Sequence, residues 1–305
     1  MNREKFAITG IGGFIGRQLA SALRASFPDA CIVALGRGRS SHASAIFDID
    51  LLDTGRVRES IDQIHPDYIF HLAGVVYSRD WRELHSGNVQ ITINILEAVR
   101  EVGVVSKIIV PGSAAEYGGV RAADLPLVET LAPNPVTPYG VAKVWQTSVA
   151  RYYATTGLDV VVGRIFNVIG PGAPESLSIG TFASQLGRIK NGEAPPKIMV
   201  GNLKPKRDFV DIRDVCQALI TLAKRGKSGE IYNICSGASA SMEHLLGELI
   251  TRLGLDVEVS VEPARVKMGE IADIFGSYQK IRESTGWEPA FSLSDSVASV
   301  ISDLA

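Results

Sequence analysis

Tyr139 and Lys143 stand four residues apart at the start of a helical run that Pro138 opens, and that spacing puts both side chains on one helix face. A phenol has an ordinary pKa of about 10, too high for easy proton exchange at neutral pH, and an ammonium beside it is expected to favour the phenolate and lower that value. Lys143 can also hold a nicotinamide ribose. Such pairs occur on plain helix surfaces too, so a third group has to give the pair meaning. The strand-like run Ile108–Val110 leads into Gly112-Ser113-Ala114-Ala115-Glu116-Tyr117-Gly118. Ser113 is thereby placed at the carboxyl end of a strand, where open α/β sheets bind ligands. A serine, a tyrosine and a lysine so gathered can hold a sugar oxygen and exchange a proton with it.

The second constellation is Thr9-Gly10-Ile11-Gly12-Gly13-Phe14-Ile15-Gly16, which follows an apolar strand and opens a helix. Gly10, Gly13 and Gly16 permit a tight turn, and the helix start that Phe14 and Ile15 begin offers amide donors to a pyrophosphate. The second strand ends in Leu35-Gly36-Arg37-Gly38-Arg39-Ser40, with glycine where a carboxylate would bond the ribose hydroxyls of NAD. Arg37 and Arg39, with Ser40, suit a 2′-phosphate, because guanidinium is always charged and bonds phosphate in a fork. NADP(H) is therefore favoured and NAD(H) remains possible, since arginines also solvate surface loops. Asp50 and Leu51 are placed to meet an adenine, and Leu72, Ala73 and Gly74 end a later strand beside the cofactor. No metal-ligand cluster is expected.

These groups need a scaffold that brings strand ends together. Phe6–Thr9, Cys31–Leu35, Tyr68–Leu72, Lys107–Val110 and Val160–Ile165 read as strands, alternating with helical runs Ile15–Ser26, Val57–Ile64, Val89–Val102 and Tyr139–Thr156. That alternation predicts an α/β fold with a Rossmann-type, doubly wound parallel sheet. The pattern weakens after Asn167, where Asp208–Ile212 and Ile231–Cys235 still read as strands. Residues 1–168 are expected to bind the dinucleotide. Residues 169–305 are expected to form a smaller α/β lobe that holds substrate, the chain returning to the first lobe around 208–236. The chain has 305 residues, and 31 Lys and Arg against 33 Asp and Glu leave a net charge of -2, so no global field draws it to nucleic acid or an anionic membrane. Cys31, Cys216 and Cys235 have no paired spacing and read as buried free thiols. With no signal-like or membrane-spanning stretch, a cytoplasmic protein is expected.

Taken together, these motifs resemble the extended short-chain dehydrogenase/reductase family, also called the NAD-dependent epimerase/dehydratase family, over essentially the whole chain. The likeness is carried by the glycine loop, His71-Leu72-Ala73-Gly74, Ser113-x-x-x-Tyr117-Gly118, Tyr139-Gly140-Val141-Ala142-Lys143, Arg164-Ile165-Phe166-Asn167 and Arg207-Asp208-Phe209. The resemblance implies an oxidoreductase acting on a nucleotide-sugar, with Ser113, Tyr139 and Lys143 as the catalytic triad. It further implies that Asn167 and Arg207 face the substrate diphosphate and that the enzyme is a homodimer. The later phrases Val200-Gly201-Asn202-Leu203, Tyr232-Asn233-Ile234-Cys235 and Glu262-Pro263-Ala264-Arg265 resemble the branch that reduces the 4-keto group of GDP-4-keto-6-deoxy-D-mannose. That branch usually has Arg-x-Arg-Pro-x-Asp in its nucleotide clamp, where this chain has Arg265, Lys267 and Glu270 at the polar positions. The lysine loses the fork and the glutamate moves the carboxylate, so the nucleotide base stays open. A 4-epimerase with retained NAD is the alternative reading, and a non-catalytic cofactor-sensing or nucleic-acid-binding relative is a second. A 4,6-dehydratase is disfavoured, because Ala114 and Ala115 precede Glu116 where an acid is usual.

Overall fold

The strand Lys5–Thr9 (β1) turns Phe6 and Ile8 into one apolar core and Ala7 into another, so both its faces are buried. A strand buried on both faces requires a cover above and below, the usual state of a parallel sheet. The computed structural model describes residues 3–263 and 271–304. The chain continues through Phe14–Ser26 (α1), Cys31–Leu35 (β2), Ala45–Phe47 (β3), Thr54–Ile64 (α2), Tyr68–His71 (β4), Trp81–Leu84 (α3), Ile91–Val102 (α4), Lys107–Ser113 (β5), Pro138–Thr155 (α5) and Asp159–Ile165 (β6). A π-helical turn, His85–Gln90, joins α3 to α4. Then follow Asn167–Ile169 (β7), Ser178–Lys190 (α6), Lys197–Val200 (β8), Lys206–Asp211 (β9), Ile212–Arg225 (α7), Ile231–Ile234 (β10), Ser239–Ser241 (β11), Met242–Leu253 (α8), Glu258–Val261 (β12), Asp273–Ile274 (β13), Gln279–Thr285 (α9) and Leu293–Ser302 (α10).

Seven parallel strands form the central sheet in the order β10-β6-β5-β4-β1-β2-β3. Leu19 and Leu23 of α1 and Leu219 and Leu222 of α7 fill one core, while Val57 of α2, Ile95 of α4 and Ala150 of α5 fill the other. The fold is thus the doubly wound Rossmann type. Strand β1 pairs with β2 on one side and β4 on the other, with Thr9 opposite both Leu35 and His71. Successive strands therefore leave β1 in opposite directions, which opens a crevice at its carboxyl end.

A second sheet has the order β11-β9-β13, with β7 also pairing β9. It adjoins a third core built from Ile169, Phe182, Leu186, Leu245, Leu249 and Val297. The strand-like stretch near Asp208 belongs to this second sheet rather than the central one. Asp211 ends it, and its carboxylate accepts from Arg213 N at 2.8 Å to cap α7, so the return to the central sheet runs through α7 into β10. All three cysteines are free thiols. Cys216 and Cys235 are buried, but Cys31, at the first position of β2, is only half-buried. Among the described residues no helix is long and apolar enough to cross a membrane.

Candidate active site

Helix α5 starts where the Thr137 hydroxyl accepts from Gly140 N at 3.0 Å and Pro138 takes the first turn, a position where its missing N–H costs nothing. This start sets Tyr139 on the first turn and Lys143 one turn further in. Ser113 ends β5, and its own turn is closed reciprocally: Ser113 Oγ accepts from Ala115 N at 3.2 Å, while Ser113 N donates to Glu116 Oε1 at 2.8 Å. The Ser113 side chain lies near enough to the Tyr139 phenol to act on its proton, and the Lys143 ammonium donates to the Pro111 carbonyl of β5. The structure therefore gathers all three residues at the carboxyl end of β5.

The expected lowering of the Tyr139 pKa is not found. Burial pushes its phenol up to about 12, opposed by the Ser113 side chain and reinforced by the charge of Glu116 and by Tyr77. The reason is geometric, because the ammonium meant to favour the phenolate is turned to Pro111 O and to Gln146 Oε1. Burial pulls Lys143 itself down to about 8, with Glu116 opposing. Glu116 is held in turn by a fully buried ion pair, its Oε2 accepting from Arg164 Nη2 at 2.8 Å and Nε at 3.2 Å. The guanidinium lies 4.5 Å over the ring of Tyr117, whose hydroxyl donates to Asn233 Oδ1 at 2.8 Å.

At the crevice beside β1 lies a cleft of about 570 Å³ lined by Gly10, Gly36, Arg37, Gly38, Asp50, Leu51, Ala73 and Gly74 among others. A Cβ on Gly10 would stand 2.7 Å from Ala73 N, and the residue has φ +66, so only glycine keeps this wall open. Gly16 is equally constrained, since a Cβ there would meet Gly10 O at 2.2 Å. Gly13 N donates to Gly10 O at 2.9 Å to close the turn. Gly13 caps α1 without a side-chain bond, and no acidic residue sits in the first turn. The amides of Phe14, Ile15 and Gly16 are thus left to an anion. These features fit a dinucleotide. The Phe14 and Ile15 side chains and Leu72 pack instead against the core under the sheet. At the cleft lip Arg37 donates to Asp50 at 2.6 Å, both largely exposed. Arg39 is turned to Asp48 at 3.2 Å and Ser40 accepts from His42 N, neither lining the cleft.

Asn167 and Arg207 come together on neighbouring strands of the second sheet. Asn167 is opposite Phe209, and its amide donates to Asp208 O at 3.0 Å. Arg207 Nη1 donates to Ile271 O at 2.8 Å. Arg265, Lys267 and Glu270 lie outside the described residues. Among those described, no cluster of side chains suited to a metal ion occurs.

Compared with known proteins, residues 6–235 match the NAD dependent epimerase/dehydratase family. The chain belongs to that family. This epimerase/dehydratase-family chain is 30% identical over 305 residues to a GDP-6-deoxy-D-mannose reductase of Pseudomonas aeruginosa, the match covering 98% of this chain and 97% of the relative. It superposes with a TM-score of 0.88 on the structure of RMD from Pseudomonas aeruginosa complexed with NADPH, at 30% identity and covering 99% of this chain and 97% of that one. An equal TM-score of 0.88 is found with a UDP-glucose 4-epimerase of Thermotoga maritima with UDP-glucose, at 25% identity and 98% coverage of both chains.

Several groups of this family member escaped the sequence reading. The Glu116–Arg164 pair joins residues 48 apart, and only the oddity of charged residues in apolar surroundings could have hinted at it. His71, Thr92 and Gln146 are buried polar residues beside Lys143; His71 was noted only as the head of the phrase His71-Leu72-Ala73-Gly74, and Gln146 left the trace of lying one turn past Lys143 on the same helix. Tyr77, after β4, stands near enough to Tyr139 to help raise its pKa, a relation no local pattern encodes.

Proposed function

We propose that the chain reduces the 4-keto group of a nucleotide-activated 6-deoxyhexose of the GDP-4-keto-6-deoxy-D-mannose type, using NADPH. The observation that carries this reading is Tyr139, its phenol held in the protonated form, gathered with Ser113 and Lys143 at the carboxyl end of β5, on the sheet whose β1 end borders the glycine-walled cleft. A nicotinamide cofactor, when bound, supplies the hydride. Tyr139, whose raised pKa keeps its proton in place, passes that proton to the sugar oxygen. Ser113 holds the same oxygen, and Lys143 is assigned to the nicotinamide ribose. Asn167 and Arg207 are assigned to the substrate diphosphate, with Arg265, Lys267 and Glu270 assigned to the nucleotide.

Dehydration is disfavoured because Ala114 and Ala115 carry no acid and the Glu116 carboxylate is committed to Arg164 and the Ser113 amide. The preference for NADPH over NADH rests on Arg37, which lines the cleft and would exchange Asp50 for a 2′-phosphate. The relative bound to NADPH supports it. Trp145 and Tyr152 of α5 and Trp81 of α3 are exposed aromatics, and this face is assigned to pairing of two copies, which sedimentation equilibrium tests.

The deciding experiment incubates the purified protein with GDP-4-keto-6-deoxy-D-mannose and NADPH. Stoichiometric cofactor oxidation with formation of the 6-deoxyhexose is expected. Retained NAD with interconversion of a UDP-hexose and its carbon-4 epimer, without added cofactor, would overturn the reading in favour of an epimerase.

A further inference from the structure

Lys143 is 4% exposed, so its ammonium depends on protein acceptors in place of water. Two are present, the Pro111 carbonyl and the Gln146 carboxamide oxygen. The carbonyl is fixed by β5, but a carboxamide can turn over and present its NH₂ to the ammonium instead. What prevents this is a chain of hydrogen bonds in which each proton has one place to go.

The chain is read from Thr92, the second residue of α4. Its hydroxyl donates to Asn88 O at 2.6 Å, which leaves only lone pairs for its other neighbours. Thr92 Oγ1 therefore accepts from Gln146 Nε2 at 2.8 Å and from His71 Nε2 at 2.9 Å. With its proton on Nε2, His71 must accept at Nδ1, and it does so from the Thr9 hydroxyl at 2.9 Å. Thr9 Oγ1 in turn accepts from Ala73 N at 3.0 Å. The ring stays neutral, since burial, then the charge of Lys143, pull its pKa down to about 3. The links from the amide at the cleft wall run towards Thr92, and the Gln146 NH₂ donates into the same hydroxyl oxygen from the other side, so the carboxamide oxygen is left facing Lys143. The other charged or titratable groups about the lysine are Glu116, already paired with Arg164, and the Tyr139 phenol.

We propose that Gln146 is a positioning residue that aims and charges the Lys143 ammonium, and that the Thr9–His71–Thr92 chain locks its carboxamide in the accepting orientation. The proposal rests on the role given to Lys143 above, but it concerns the lysine's protonation and can be measured without turnover. Because Thr9 precedes Gly10 and Ala73 lines the cleft, the chain also ties the lysine to the main chain of the cofactor wall.

The test is an NMR titration of the cofactor-free protein carrying ¹³Cε-labelled lysine, with the Lys143 signal assigned by its loss in Lys143→Met. Gln146→Leu removes an acceptor from the charged form and should lower the Lys143 midpoint by about one pH unit, a tenfold change in the proton equilibrium. Gln146→Glu supplies a carboxylate and should raise it by a similar amount. Thr92→Val unlocks the carboxamide while leaving Gln146 present, and should shift the midpoint down by less than Gln146→Leu. Thermal unfolding of each variant checks the fold, and Gln146→Glu, nearly isosteric, keeps the test open if Gln146→Leu does not fold. Midpoints unchanged from wild type in Gln146→Glu, or moved in the same direction by Glu and Leu, would overturn the proposal. Shifted midpoints in a protein that reduces no keto-sugar would leave it standing and sink the reductase reading instead.

Discussion

Glu116→Gln removes one charge and almost no volume from the best-buried ion pair among the described residues. The two side chains are 0% and 2% exposed, and Arg164 Nη1 already has no hydrogen-bond partner. Without the carboxylate, the guanidinium keeps a neutral carboxamide and the face of Tyr117 at 4.5 Å, neither of which replaces an anion. Breaking a buried pair from one side costs about 3–5 kcal/mol, because the surviving charge is stranded. Against a total stability of about 5–15 kcal/mol this is a large fraction. The melting temperature should fall on the order of 5–8 °C. Activity should fall too, since Glu116 also accepts from the Ser113 amide and closes the serine turn. Urea unfolding of wild type, Glu116→Met, Arg164→Met and the double variant Glu116→Met/Arg164→Met closes a cycle. The apolar double variant should be more stable than Glu116→Gln, because neither charge is left buried. A single-variant loss below about 1 kcal/mol, or a double variant as unstable as the sum of its parts, would refute this account of the pair.

Other outcomes follow from the same geometry. Tyr139→Phe should keep the fold and cofactor affinity and lower the turnover of keto-sugar reduction about 10²–10⁴-fold, the scale of a lost general acid, as measured by steady-state NADPH oxidation. Arg37→Ala should cut the ratio of NADPH to NADH affinity by at least about tenfold, the loss of a charge-assisted phosphate contact, as read by fluorescence titration. His71, pulled from 6.5 to about 3 by burial, takes up no proton in the folded state between those values, whereas the unfolded chain does. Stability should therefore rise with pH across that window and be lost as pH falls below 6.5, with a slope from this group of about 1.4 kcal/mol per pH unit. In His71→Gln the slope between pH 6 and 4 should be shallower by about that amount, and an unchanged slope would show that His71 is not shielded as described.

The parts of the fold that repeat every few residues were open to inspection in the sequence. β1, β2, β5 and β6 are apolar on both faces and the helices between them are periodic, so the parallel sheet and its glycine crevice could be read directly. The second sheet could not, because β7, β11 and β13 span three residues or fewer and exist only through pairing with β9 or its neighbours. The π-helical turn at His85–Gln90 leaves no mark in apolar periodicity. At the site, the identities of Ser113, Tyr139 and Lys143 were legible from residue type and spacing, but their ionisation was not. The phenol's environment depends on burial and on an ammonium that turns to Pro111 O, a main-chain atom 32 residues away. Arg37 and Asp50 were each read as facing the cofactor, and that they also bind each other depends on a loop closure 13 residues long.

The placement of β10 limits how this chain can be cut or recombined. A piece ending at residue 168 would hold the glycine loop and the whole triad, yet would lack the strand that pairs Ile231 to Ile234 against Val162 to Ile165. The outer rim of β6 would then present bare N–H and C=O groups, and the loss of α7 would uncover Val161 and Ile165 on its face. An apolar rim of that kind is a template for sticking to other chains. Chimeras that graft foreign C-terminal segments onto the half bearing the glycine loop should therefore carry residues 212–234 with the sheet they complete, and exchange only the segments on either side.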